Sequence, residues 1–358
     1  MTTTNRVPGI FIACGCFLFA IGIWTAAHAE IQFVEDYISF TQMAKRPLRN
    51  LPEREAWKKA APEIVEIAIP RPNEDSGQPA LWYNSQSDQP KPLLIVLHSW
   101  SDNYLQHYGI PYAVFAVKND WIFMHPDFYG RFNNKDATGS EKAVQDVLLA
   151  LEYAKANASV DESRIYLAGF SGGAMMSLIM VGRHPELFTA ALASVPVYDL
   201  KDWYAYLSGS QLRYADGYQN DIRASCGGNP VSADQAGEEC RRRSPSAYLP
   251  DARGREVQVY LCGGTRDPFV PPSHAIRAFN DLAEENDRIS EEDFRYIDKT
   301  KSLPENLQGQ GKTDPFFEKA GLPLVFKRKS NNATIALFDG GHDIVFNQGL
   351  HWLAQQQR

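Results

Sequence analysis

Cysteine is scarce in this chain, five in 358 residues, and none of the five has histidine or cysteine partners at metal-ligand spacing. That leaves no zinc-type site to expect. Clustered positive charge is also missing: the longest Lys/Arg run is Arg241-Arg242-Arg243, and the net charge is -7. Such a chain lacks the cationic footprint that polyphosphate binding requires, so nucleic acid is not an expected partner. Internal repeats and low-complexity tracts do not occur. What is abundant is core-forming material, 44% hydrophobic and 12% aromatic residues, enough to bury a substantial interior.

The first residues read as a targeting segment. Arg6 supplies a positive start, Ile10 to Trp24 is an apolar run, and Ala27-His28-Ala29 offers small residues for cleavage before Glu30. Residues 1–29 are therefore expected to be a signal peptide, giving a secreted or periplasmic protein that does not contact the membrane once the segment is removed. An uncleaved anchor is the alternative, because the run approaches membrane-spanning length. Removal would leave Cys226, Cys240 and Cys262. The first two bound a polar stretch without apolar anchors, which suits a disulfide, while Cys262 ends a strand-like run as a buried thiol.

From residue 64 onward, short β-rich runs alternate with helical patterns, which argues for a mostly parallel sheet covered by helices on both faces. Strands are expected at Ile64–Ile69, Leu93–His98, Trp121–His125, Arg164–Gly169, Ala190–Val195, Val257–Cys262 and Thr334–Phe338. Apolar residues at three-to-four spacing predict helices over Ser140–Asn157, Gly172–His184, Ser273–Glu285 and Ile344–Gln356. Residues 30–63 read as an N-terminal arm, and 64–358 as one α/β domain. Stretches 200–255 and 286–332 break the alternation and read as insertions over a ligand crevice at the strand ends.

One turn carries the chemistry. "RIYLAGFSGGAMMS" places Ser171 between Gly169 and Gly173, in the G-x-S-x-G pattern, after a strand-like run and before a helix-like one. A serine hydroxyl needs a base to take its proton and a carboxylate behind that base. His342 lies on a glycine loop after the last predicted strand, and Asp267 on a proline-stiffened loop after the strand before it. Asp339, Asp343 and Asp199 are rival acids. The tetrahedral intermediate needs N–H donors, expected from the amides of Gly172 and Trp100. Tyr198 and Arg131 each follow a predicted strand and are expected to line the cleft, with Tyr198 binding substrate.

"DESRIYLAGFSGGAMMS", "GTRDPFVPPSHA" and "GGHDI" resemble the elbow, acid and histidine segments of prolyl-oligopeptidase-like serine hydrolases of the α/β-hydrolase superfamily. The resemblance implies an α/β-hydrolase fold, a mostly parallel sheet of about eight strands with lid-like insertions, and a triad of Ser171, Asp267 and His342. It implies an acyl-enzyme mechanism without cofactor or metal, acting on a peptide or small-molecule substrate. The elbow also resembles those of secreted polyester depolymerases and feruloyl esterases, so ester substrates stay open beside peptides. Full-length prolyl oligopeptidases place a β-propeller ahead of the hydrolase. Only about sixty residues stand between the expected cleavage point and the start of the hydrolase-like segment at about Pro92, too few for two propeller blades. A catalytically silent binding module on the same fold is the remaining alternative, since fold alone does not fix function.

Overall fold

The computed structural model describes residues 1–2, 31–72, 74–85 and 87–358. The segment read as a signal peptide lies outside the described residues, apart from its first two positions.

Alternation along the central strands builds two cores. In β3 (Lys91–Leu97), Leu93, Ile95 and Leu97 face one hydrophobic cluster while Leu94 and Val96 face the other. In β5 (Val160–Phe170), Ile165 and Leu167 join the first, and Tyr166 and Ala168 the second. Strands buried on both faces are the signature of a helix-covered parallel sheet. The helices Glu141–Asn157, Gly172–Arg183 and Pro272–Leu282 cover the first face. Gly109–Lys118 and Phe346–Ala354 cover the second, together with the arm, whose Val34, Met43 and Trp57 are buried.

The remaining strands are β1 (Val65–Ile69), β2 (Gln78–Tyr83), β4 (Ile122–Pro126), β6 (Ala190–Ser194), β7 (Gln258–Gly264), β8 (Leu324–Ser330) and β9 (Ala333–Phe338). They form one nine-stranded sheet in the order β1-β2-β4-β3-β5-β6-β7-β9-β8. The six strands from β4 to β9 in that order run parallel, while β1, β2 and β8 pair antiparallel. All seven predicted strands and four predicted helices are present within a few residues of their expected bounds. The sheet has nine strands where about eight were expected, and β2 and β8 were not among the predicted elements.

Both predicted insertions have regular structure. The first holds helices Leu200–Ser208, Ala215–Cys226 and Asp234–Arg242, the last two joined by a Cys226–Cys240 disulfide with Cα atoms 5.3 Å apart. The second carries helices Glu291–Thr300 and Pro315–Ala320 and then β8, so its end belongs to the sheet itself. Cys262 is a buried free thiol, its pKa pushed up to about 12 by burial. Among the described residues, no helix is long and apolar enough to cross a membrane.

Candidate active site

The turn after β5 is backbone packed on backbone. A Cβ at Gly169 would lie 2.2 Å from the Gly173 oxygen, and one at Gly173 would lie 1.9 Å from the Leu97 oxygen. Helix Gly172–Arg183 therefore starts pressed against β3 and β5, which glycine alone permits. Ser171, between them, takes φ 55° and ψ -115°. That conformation is strained for a residue with a side chain and is the mark of a nucleophile elbow. Its amide donates to Ser194 O at 2.9 Å, fixing the turn to the end of β6. Among the described residues the Ser171 hydroxyl makes no hydrogen bond.

The loops after β7 and β9 are joined in the same way. Arg266 N donates to Gly340 O at 2.9 Å, and a Cβ at Gly264 would lie 2.1 Å from Gly341 O. This close approach sets Asp267 beside His342. Asp267 is fully buried; its Oδ1 accepts from the amides of Phe269 (2.8 Å) and Val270 (3.0 Å), and its Oδ2 lies 2.6 Å from His342 Nδ1. With the carboxylate accepting, Nδ1 carries the proton and Nε2 is left as the basic nitrogen. The imidazole rests 4.8 Å from the ring of Phe170, the residue before Ser171, and 5.4 Å from Phe269. Catalytic hydrogen bonds in ligand-free sites are often long and tighten around substrate.

The rival acids are committed elsewhere. Asp199 caps helix Leu200–Ser208 through Asp202 N and accepts from Ser246; Asp339 pairs with Arg266; Asp343 accepts from Thr41 N and Ile344 N. Two other histidines are structural. His98 lies with Nδ1 3.0 Å from Ser99 O and Nε2 2.7 Å from Asp127 O, stacked on Phe128. His274 Nδ1 accepts from Tyr198 N, and burial lowers its pKa to about 4.

Trp100 and Gly172 meet: a Cβ on Gly172 would stand 2.7 Å from Trp100 N and 3.2 Å from Phe132 Cε2. Gly172 N lies in the first turn of a helix, where amides lack intrahelical acceptors and the dipole favours negative charge. Trp100 N has no acceptor among the described residues. The structure thus brings Ser171, Gly172 and Trp100 together at one end of the sheet, and Asp267 and His342 against the same elbow.

Tyr198 does not join them. It is 6% exposed; its hydroxyl donates to Asp281 at 2.6 Å, and Arg277 lies over its ring. The phenol, expected to bind substrate, is packed on helix Pro272–Leu282 through Asp281 and Arg277. Arg131 is half-exposed, 3.8 Å from Asp221, and Asp221 accepts from Trp100 Nε1 at 3.1 Å. Asp221 was not singled out from the sequence; its one signal there is its three-residue spacing from Tyr218, which puts both on one helix face. Of the aromatic residues in the first insertion, Trp203 and Tyr204 are core. A cavity of about 640 Å³ opens beside the acid and histidine loops, lined by Thr265, Arg266, Lys301, Leu303, Leu324 and Asp339 among others.

Residues 127–295 match the prolyl oligopeptidase family. The acylamino-acid-releasing enzyme of Mus musculus is 26% identical over 152 residues, 40% of this chain and 18% of that protein. Poly(3-hydroxyalkanoate) depolymerase C of Paucimonas lemoignei is 25% identical over 109 residues, 28% of this chain and 26% of its own. Feruloyl esterase B of Talaromyces funiculosus is 26% identical over 112 residues, 29% of this chain and 32% of its own. The chain thus spans less than a third of the length of these curated relatives. Among solved structures, a puromycin-hydrolyzing peptidase of Mycobacterium tuberculosis superposes with a TM-score of 0.50 at 14% identity, over 81% of this chain and 38% of that one. At that identity the likeness is one of fold.

Proposed function

We propose that this chain, whose residues 127–295 match the prolyl oligopeptidase family, is an exported acyl hydrolase of peptide bonds working through an acyl-enzyme on Ser171. The observation that carries the proposal is the 2.6 Å contact of Asp267 with a His342 ring packed on Phe170, next to a serine at φ 55°. His342 Nε2 takes the proton of the Ser171 hydroxyl as its oxygen attacks the carbonyl carbon. Asp267 holds the ring in the Nδ1–H tautomer and stabilises the imidazolium. The amides of Gly172 and Trp100 donate to the oxyanion. The imidazolium then protonates the leaving amine, and a water activated by the same nitrogen releases the acyl group from Ser171.

Carboxylic ester cleavage is the second reading. It is favoured by the similarity of about 110 residues to the depolymerase and the feruloyl esterase. Export is supported by the disulfide, a feature of oxidising compartments.

The test is labelling of purified protein with a fluorophosphonate, followed by rates on Xaa-Pro and dipeptide amides and on short-chain nitrophenyl esters. Labelling at Ser171 with amide turnover supports the first reading, and a preference of orders of magnitude for esters selects the second. An unlabelled Ser171 with undiminished activity in a Ser171→Ala variant overturns both.

A further inference from the structure

Trp100 is held from two directions, by the loops at the strand ends and by the first insertion. The Ser99–Trp100 peptide has its carbonyl 3.0 Å from His98 Nδ1. In a trans peptide the N–H points opposite to the carbonyl, so the Trp100 amide faces away from that ring. On the other side, Phe132 N donates to Trp100 O at 2.9 Å. The indole is buried in the main core and reaches the first insertion. It packs edge-on against Trp203 at 4.8 Å and Tyr218 at 6.5 Å, and its Nε1 donates to Asp221 Oδ2 at 3.1 Å. Trp203, Tyr218 and Asp221 all belong to the first insertion, on helices Leu200–Ser208 and Ala215–Cys226.

We propose that Asp221 is a positioning residue for the oxyanion hole: through Trp100 Nε1 it fixes the residue whose backbone amide stands against Gly172, making the insertion a working part of the site. The proposal rests on the serine-hydrolase reading above. Asp221 is well placed for it, because its side chain is 14% exposed and Arg131 approaches only to 3.8 Å, leaving the indole N–H as the nearest donor to its carboxylate. A hydrogen bond to a charged acceptor is about twice as strong as a neutral one. An oxyanion donor displaced by a fraction of an ångström stabilises the transition state less while leaving ground-state binding alone.

The experiment is a double-mutant cycle on the full chain with Asp221→Ala and Trp100→Phe, the second keeping the backbone amide and most of the ring. Removing an oxyanion donor outright costs about 10²- to 10³-fold in kcat, so loosening one is expected to cost about tenfold. Each single variant should lose about tenfold in kcat with KM within threefold. The double variant should be no worse than either, and Asp221→Asn, which keeps an acceptor, should stay within threefold of wild type. A trifluoromethyl ketone, whose hemiketal places an oxyanion in the hole, should lose affinity by the same factor as kcat/KM. Unchanged kcat and ketone affinity in both single variants, multiplying losses in the double, or a loss confined to KM would overturn the proposal. Where Asp221→Ala does not fold, Trp100→Phe and Asp221→Asn decide by the same readouts. The two readings fail separately: full activity in Ser171→Ala removes the mechanism, whereas an inactive Ser171→Ala beside a wild-type Asp221→Ala removes only this inference.

Discussion

The Cys226–Cys240 disulfide can be removed without touching the sheet, and its contribution can be worked out in advance. The two cysteines are 14 residues apart in sequence. In the chain-entropy model a loop of that length stabilises by about 3 kcal/mol at 25 °C. The roughly 330 residues from Ile31 to Arg358 form one compact unit. At about 2.1 cal/mol/K per residue their unfolding entropy near the midpoint is about 0.7 kcal/mol/K, so the loss corresponds to about 4 °C in Tm. Both cysteines are nearly inaccessible, which makes the Cys226→Ala/Cys240→Ala pair a cleaner perturbation than reductant. Calorimetry of that variant against wild type reads the shift directly. Thiol titration in denaturant should find one free thiol among Cys226, Cys240 and Cys262. A Tm within 1 °C of wild type, or two further titratable thiols, would refute the reasoning. Because Asp221 lies five residues before Cys226 on the same helix, the variant should also lose kcat before it loses KM.

Three further outcomes are expected. Asp267→Asn should keep the fold but lower kcat about 10³- to 10⁴-fold, as the amide favours the wrong imidazole tautomer; steady-state kinetics check it. Gly173→Ala, whose Cβ would stand 1.9 Å from Leu97 O, should yield insoluble protein, while Gly341→Ala, with its nearest neighbour 3.9 Å away, should express and melt as wild type. Burial holds His125 down to about 3 and His274 to about 4. Below about pH 6.5 the unfolded chain therefore binds protons that the native state refuses, and stability, full above that pH, should fall by about 1.4 kcal/mol per histidine per unit as pH drops. Asp127 and Asp146, raised by burial, act with the opposite sign only nearer the carboxylate range. Urea midpoints between pH 7 and 5 test this, with a shallower slope expected for His125→Leu; a flat wild-type profile would refute it.

What the sequence reveals of this protein follows the range of the forces involved. The central strands are legible because a parallel sheet buries both faces, leaving continuous apolar runs such as Leu93 to Leu97. Strand β8 is not, because it lies at the sheet's edge: "LVFKRKS" carries three cations and pairs with β9 alone, so it reads as a loop. Strand β2 pairs on both sides but includes Pro79 and follows a Pro- and Gly-containing stretch, which hides it in the same way. The elbow is legible because its constraint is local, three glycines within the five residues from Gly169 to Gly173. Asp267 and His342 are legible through their order along the chain and their loops, although what joins them is the backbone contact between Gly264 and Gly341. Tyr198 follows a strand as a cleft residue would, but its partners, Asp281 and Arg277, lie on a helix some eighty residues further along the chain. Asp221 is silent for a related reason. It meets Trp100 across 121 residues of chain, with no motif at either end, so its role exists only once two α-helices of an insertion have folded onto an indole. Determinants of rate that act through such a contact leave the triad's spelling untouched, and chains with the same G-x-S-x-G, acid and histidine segments can therefore differ in kcat through residues that none of those segments contain.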